Sequence, residues 1–338
     1  MSILLIFILF LIFYGCKVEN NDDYLSLYQT TCVNGVFIML VFFRHLAQYV
    51  TFSSLLDMPM VLIDKFSGQL IVTMFLFNSG FGIMQSIKNK KNYADKIPKN
   101  RIFKIWFRFM ICVCLYYIVN IILSNSISLS KFLLSLLCIE SIGNSNWYIL
   151  SMLVMWFLTF ISFKFFKNNF KINYISLLIL SFIYIMILII MDVPNYYYNT
   201  IVCYLYGIFY SENKNKIDRI FNKLKNWICA LFINFILLLI NALIILKNPN
   251  NVIIYELMSF FFVNCIVILL QKFKFNNKIT FSIGKNLFGL YILQRIPMLI
   301  LKQVGVASYN VYIYSILCFI SMLVLGYLFN YIVEHKKI

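Results

Sequence analysis

The sequence predicts an all-α, polytopic integral membrane protein, and three observations carry that prediction. Of 338 residues, 62% are hydrophobic and 12% are charged, whereas a soluble domain carries about a quarter charged residues. Apolar runs close to bilayer length recur along the whole chain. Lys and Arg gather in alternate connections between those runs. The first observation excludes a water-soluble fold, and the other two give the number of crossings and their direction.

A helix crossing a bilayer needs about 20 mostly apolar residues, because lipid offers no partner to unpaired backbone groups. Ten runs approach or meet that length: Thr31 to Phe52, Gly68 to Met84, Ile102 to Leu123, Trp147 to Phe166, Asn173 to Met191, Tyr197 to Tyr210, Trp227 to Leu246, Val252 to Leu270, Ile283 to Leu301 and Val311 to Val333. The sixth is notably short. A further run, Ser2 to Cys16, precedes them. The expected organisation is therefore a hydrophobic helix and cytoplasmic linker over residues 1–30, then a ten-span core over residues 31–338. Ile127 to Cys138 is too short to span and is expected to be re-entrant or interfacial. The sequence shows no convincing repeat, no coiled coil and no soluble domain longer than its loops.

Lys and Arg number 29 against 12 Asp and Glu, a formal charge of +17. In a soluble protein this excess would suggest nucleic acid; in a chain this apolar it is better read as orienting charge on short cytoplasmic loops. Every connection after an even-numbered span is basic: Lys88 to Arg101, Lys164 to Lys171, Lys214 to Lys225, Lys272 to Lys285, and finally Lys336 and Lys337. The other connections carry only Lys65, Lys131, Lys247 and Lys302. Both ends of the core are thus expected in the cytoplasm, with the bilayer as partner and no nucleic acid. Cleavage as a lipoprotein at Cys16 would place Lys17 outside and invert the core, and no cation precedes that run. An added helix with its N-terminus outside, or one lying in the interface, fits better. The nine cysteines are scattered without disulfide or metal spacing, so no metal site is expected.

Ionisable side chains within a bilayer cost several kcal/mol and default to a functional reading. Arg44 and His45 fall in the outer half of span one, Glu256 near the outer end of span eight, and Arg295 in the outer half of span nine. Glu256 and Arg295 either neutralise each other or orient and stabilise charge during a reaction. Arg44 either snorkels outward or lines a path. His45 is the only histidine in the spans and is suited to general-base work on a hydroxyl. Asn34 lies eleven residues earlier, almost three full turns, so the two share one helix face about 16 Å apart.

At the start of span three, Arg101, Lys104 and Arg108 recur at i, i+3 and i+7, three cations on one face. They either satisfy the positive-inside rule alone or hold the phosphates of a cytoplasmic ligand. Asn78 to Gly82, "NSGFG", ends span two nearby. Its glycines, Gly80 and Gly82, allow either close backbone approach by a ligand or helix packing through small residues.

Together these segments resemble the membrane-bound acyltransferase-3 family, which acylates bacterial surface glycans. The resemblance rests on "NGVFIMLVFFRH" in span one, "FLFNSGFGI" in span two, the basic cluster from Arg101, "NWYIL" at Trp147 and "GLYILQR" in span nine. It covers nearly the whole chain from Thr31, and the order of these motifs makes it specific. Two positions depart: Asn34 stands where the family usually has Arg or Lys, and Gln294 where many members have histidine. No SGNH-type domain follows span ten, so transfer is expected to be completed by the membrane core.

The resemblance implies an O-acetyltransferase moving an acetyl or other short acyl group from acetyl-CoA, or a related acyl-CoA, to a hydroxyl of a cell-envelope polysaccharide or its lipid-linked precursor. His45, Glu256 and Arg295 are the catalytic candidates. Arg101, Lys104, Arg108, Ser79 and Gly80 are candidates for the donor site, and Asn34, Arg44, Trp147, Tyr291 and Gln294 for the path between. The rivals are a transporter or flippase, which would favour inverted repeats with broken helices, and a glycan polymerase, which would favour a long charged outer loop. The longest outer connection, Ser124 to Asn146, carries only Lys131 and Glu140.

Overall fold

A computed structural model describes residues 2–52, 54–165 and 169–335. The chain is helical from end to end: α1 (Ser2–Phe13), α2 (Leu27–Leu46), α3 (Met58–Ser67), α4 (Leu70–Asn89), α5 (Tyr93–Ile97), α6 (Lys104–Ile122), α7 (Leu129–Leu136), α8 (Trp147–Phe165) and α9 (Phe170–Ile190) form the first half. The second half contains α10 (Val202–Phe221), α11 (Leu224–Lys247), α12 (Val252–Leu270), α13 (Lys278–Lys285), α14 (Leu287–Leu293), α15 (Arg295–Gln303), α16 (Val306–Tyr309) and α17 (Val311–His335). The strands described are β1 (Lys17–Val18) and β2 (Phe273–Lys274), an antiparallel pair that ties the linker after α1 to the connection after α12.

Eight described helical segments are long and apolar enough to cross a membrane: α2, α4, Tyr93–Ile122, α8, α9, α11, α12 and α17. The chain is an all-α multi-pass membrane protein. Two of the ten expected crossings depart from a simple span. The sixth is shifted: α10 starts at Val202 and runs on through a charged stretch to Phe221, because its apolar half is enclosed by other helices rather than by lipid. The ninth is broken at Asn286 and again at Gln294, so Ile283 to Leu301 becomes parts of α13 and α15 with α14 between. Pro297 contributes to the second break, since it cannot donate to the carbonyl four residues earlier.

Four glycines set the tightest helix contacts. A Cβ on Gly80 of α4 would lie 2.1 Å from the Tyr204 carbonyl of α10, and one on Gly207 of α10 would lie 2.2 Å from the Phe77 carbonyl of α4. Gly35 of α2 and Gly284 of α13 approach Thr280 and Thr31 backbone equally closely. Small residues let backbones touch in lipid, where no hydrophobic force drives helices together. These contacts centre the bundle on α2, α4 and α10. By contrast α9 and α11 are largely unburied by protein, at 17% and 6% of their apolar windows, so their uniformly apolar surfaces face lipid.

The expected short element in residues 127–138 is α7, begun by Ser128, whose Oγ accepts from Lys131 N. It lies against α6, where Trp106 donates to the Leu136 carbonyl and the Tyr117 ring packs tilted against Phe132. At the basic end of the bundle, Asn21 donates to the carbonyls of Leu270 and Phe273, and Tyr24 bonds Tyr210 at 2.7 Å. Burial and the neighbouring Tyr210 push the Tyr24 phenol above its usual range, so it stays protonated at physiological pH. The Ser2 to Cys16 run is α1, in contact with both α13 and α3.

Candidate active site

Helix α2 is the spine of the site. Ser26 caps its start, accepting from Gln29 N, and one face then carries Asn34, Ile38, Val41 and His45 at helical spacing. Asn34 lines a cavity of about 770 Å³ at the end of the bundle where Lys90, Arg101 and Lys214 gather. His45 lines a second cavity, of about 560 Å³, at the opposite end. Three rings separate the two. Phe75 and Tyr148 line the basic-side cavity, Tyr291 lines the far-side one, and the Tyr148 and Tyr291 rings meet edge to face at 5.3 Å.

The far-side cavity is polar but carries no carboxylate among its lining residues. His45 Nε2 faces Ser145 Oγ at 3.4 Å, and its Nδ1 is buried without a partner in strict hydrogen-bond geometry. Gln294, fully buried at the break between α14 and α15, lies in interacting range of the imidazole. Arg295 bonds Gln48, while its Nε is buried and unpartnered. Arg44 pairs with Asp64 of α3. Gln69 Oε1, Asn144 Nδ2 and Asn199 Oδ1 line the same space, each buried without a protein partner. Beside them Trp147 and Tyr196 stand edge to face at 6.1 Å.

The loop carrying Ser145 is built firmly. Gly143 has φ +109°, a conformation that L side chains rarely adopt, and the turn is closed by Ser141 Oγ donating to the Asn144 carbonyl. Asn146 donates to the carbonyls of Cys138 and Glu140, which holds the loop against α7 just before α8 begins.

In the basic-side cavity, Asn78 donates to Asn34 Oδ1 at 2.8 Å, and Trp156 donates to Ser79 Oγ at 2.8 Å. Arg101 lies over the Trp156 ring at 5.7 Å and donates through Nε to the Tyr93 hydroxyl. Lys214 is neutralised by Asp218 at 2.7 Å, and Asp22 and Asp23 also line the space. Arg101 and Lys90 are therefore the cations lining it without an ion pair among the described residues.

The sequence candidates divide accordingly. His45, Arg44, Arg295, Trp147 and Tyr291 line the far-side cavity, with Gln294 buried behind the imidazole. Asn34, Ser79 and Arg101 line the basic-side cavity. Lys104 and Arg108 do not: residues Pro98–Phe103 form a π-helical turn, which advances each residue by less than an α-turn and puts Arg101 out of phase with them. Gly80 faces α10, and Gly82 is the glycine that borders the cavity, with open space where a Cβ would be. Glu256 lines neither cavity; its carboxylate accepts from Val202 N at the start of α10, at 3.1 Å, and it forms no ion pair with Arg295 among the described residues. Sequence reasoning missed Gln69, Asn144, Ser145 and Asn199. The polar run Ser141 to Asn146 was the available signal, since six residues with no apolar side chain except Ile142 are unusual between apolar helices.

A basic cavity and a histidine cavity on one helix, parted by a thin aromatic layer, suit transfer of a small group between substrates held at opposite faces. The family comparison agrees: the model of the acyltransferase domain called Acyl_transf_3 matches residues 31–331. The chain belongs to this acyltransferase family. No curated protein and no solved structure matches the chain.

Proposed function

We propose that this acyltransferase moves an acetyl or other short acyl group from cytoplasmic acyl-CoA to a hydroxyl of a cell-envelope or exported polysaccharide. The observation that carries this reading is the pairing of the two cavities along α2, with an imidazole in one and an unpaired guanidinium in the other. The basic side is then cytoplasmic. Arg101 and Lys90 hold donor phosphates, as cationic side chains do elsewhere, and the open backbone at Gly82 admits the pantetheine arm. The thioester reaches the aromatic layer at Tyr148 and Tyr291.

The far side takes the acceptor. Unpartnered amides at Gln69, Asn144 and Asn199 match sugar hydroxyls, which both donate and accept, and Trp147 and Tyr196 offer faces for a sugar ring. Leaving such amides unpaired would cost about 1–3 kcal/mol each, so a polyhydroxylated ligand is a natural occupant. His45 removes the proton from the attacking hydroxyl, and Arg295 steadies the oxyanion that forms on the acyl carbon.

The test is complementation. A strain lacking this chain, given the parent or His45→Ala, is compared by NMR for acetyl groups on its envelope glycan. The parent restores them and His45→Ala does not. Restoration at the parent level by His45→Ala refutes the assignment, provided both proteins reach the membrane in equal amount.

A further inference from the structure

Ser145 stands where an attacking hydroxyl has to stand. Its Oγ is 3.4 Å from His45 Nε2, it is 5% exposed, and it borders the far-side cavity. The other end of the imidazole is set by Gln294. The amide Nε2 donates to the Tyr291 carbonyl at 2.9 Å, which fixes the amide orientation and leaves Oε1 as the free end. That oxygen and His45 Nδ1 are both buried without a hydrogen-bond partner, and the two side chains are in range of each other. With the Gln294 oxygen accepting at Nδ1, the proton would sit there and Nε2 would present its lone pair to Ser145, 3.4 Å away. Nucleophile, base and orienting group thus occur in the order that activates a serine.

Two further features complete the arrangement. Ser145 lies two residues before the first residue of α8, whose nineteen residues present unpaired N–H groups and a positive dipole end at that point. Arg295, with its Nε buried and unpartnered, lies close enough to act on the same imidazole. Both are placed to receive negative charge developing on an acyl oxygen beside Ser145.

We propose that Ser145 is a catalytic nucleophile that carries the acyl group as an ester between donor and acceptor, with Gln294 as the residue that positions His45. In the first half-reaction Ser145 Oγ attacks the thioester carbonyl and its proton passes to His45 Nε2. The C–O bond forms, the C–S bond breaks, and the proton leaves with the thiolate as free CoA. In the second half the acceptor hydroxyl attacks the serine ester, gives its proton to His45, and the proton returns to Ser145 as the ester breaks. No oxidant or metal is needed. This rests on the reading of His45 as the base in acyl transfer.

The test needs no identified acceptor. Purified protein in liposomes is given acetyl-CoA and labelled CoA with no glycan present, and label entering acetyl-CoA is followed, since a covalent intermediate makes that exchange possible. The parent exchanges label, and acid-quenched protein carries one acetyl group on the peptide containing Ser145. Ser145→Ala loses exchange by on the order of a hundredfold or more. Gln294→Leu lowers the exchange kcat while leaving the KM for acetyl-CoA unchanged, and Gln294→Glu, which restores an acceptor, recovers most of it. Exchange by Ser145→Ala near the parent rate overturns the proposal, as does acetyl on another residue, or absence of exchange in a parent that restores glycan acetylation in cells. Loss of glycan acetylation in His45→Ala together with full activity of Ser145→Ala defeats the nucleophile alone and leaves the base assignment standing.

Discussion

Arg101 gives the sharpest test of where the donor binds. Its Nε is held by the Tyr93 hydroxyl at 2.9 Å and its plane lies over Trp156 at 5.7 Å, so the guanidinium is fixed in direction. Its terminal nitrogens make no other hydrogen bond among the described residues, and they border the basic-side cavity. A hydrogen bond to a charged group contributes about 1.5–3 kcal/mol, which is about tenfold to about 150-fold in a binding constant. Arg101→Gln in liposomes is therefore expected to raise the KM for acetyl-CoA by about that range, with kcat within about threefold of the parent. Lys104→Gln and Arg108→Gln, which remove equal charge from outside the cavity, should raise KM by less than about threefold. Thermal unfolding in detergent controls for the lost contact with Trp156, about 0.5–1 kcal/mol at most. An unchanged KM in Arg101→Gln, or an equal rise in Lys104→Gln, would show that the donor phosphates bind elsewhere.

Three other outcomes follow from the same geometry. Gly35→Ala forces a methyl to within 2.0 Å of the Thr280 carbonyl, and overpacking of this kind costs about 1–3 kcal/mol, read as a lower Tm; Gly82→Ala, with nothing within 4 Å, should leave Tm unchanged or slightly raised. Glu256→Gln keeps an acceptor for Val202 N and should retain transfer activity, whereas Glu256→Ala should lose about 0.5–2 kcal/mol of stability, as a removed helix cap does; a large kcat loss in Glu256→Gln at unchanged stability would show that its charge takes part in the reaction. Tyr148→Ala removes a ring from the layer between the cavities, so water should reach the thioester and release CoA without any acceptor. Equal CoA release by parent and variant would mean that Tyr148 does not separate the two spaces.

The crossings were legible because lipid imposes one strong rule, backbone satisfaction within each segment, and that rule writes itself into long apolar runs. The exceptions were segments wrapped by protein instead. Helix α10 carries charge because α4 and α12 enclose its apolar half, and α14 ends at a break because buried side chains, rather than lipid, meet Gln294. The His45 and Asn34 relation was legible because eleven residues on one straight helix leave no freedom. The relation among Arg101, Lys104 and Arg108 was read with α-helical spacing, and a π-helical turn at Pro98–Phe103 undoes it. Ser145 could not be read as a neighbour of His45 at all, since a hundred residues and three-dimensional packing stand between them.

The character of the space between the cavities bears on whether the bundle carries a whole donor or only its acyl group. A nucleotide with several phosphates moving from Arg101 to Arg295 would need cations or abundant donors along its route, because an uncompensated charge in this environment costs several kcal/mol at the least. The intervening side chains are Ile38, Phe75, Tyr148 and Tyr291, all buried and none cationic. Such a layer offers nothing to compensate a phosphate, whereas a small neutral ester has no charge to compensate. On the basic side Lys214 and Lys88 are already matched by Asp218 and Glu212, which leaves Arg101 and Lys90, both on the near side of the rings, as the lining cations without an ion pair among the described residues. A carrier for polyanions would have distributed its charge along the path; here the rings between Arg101 on one side and His45, Arg44 and Arg295 on the other carry none.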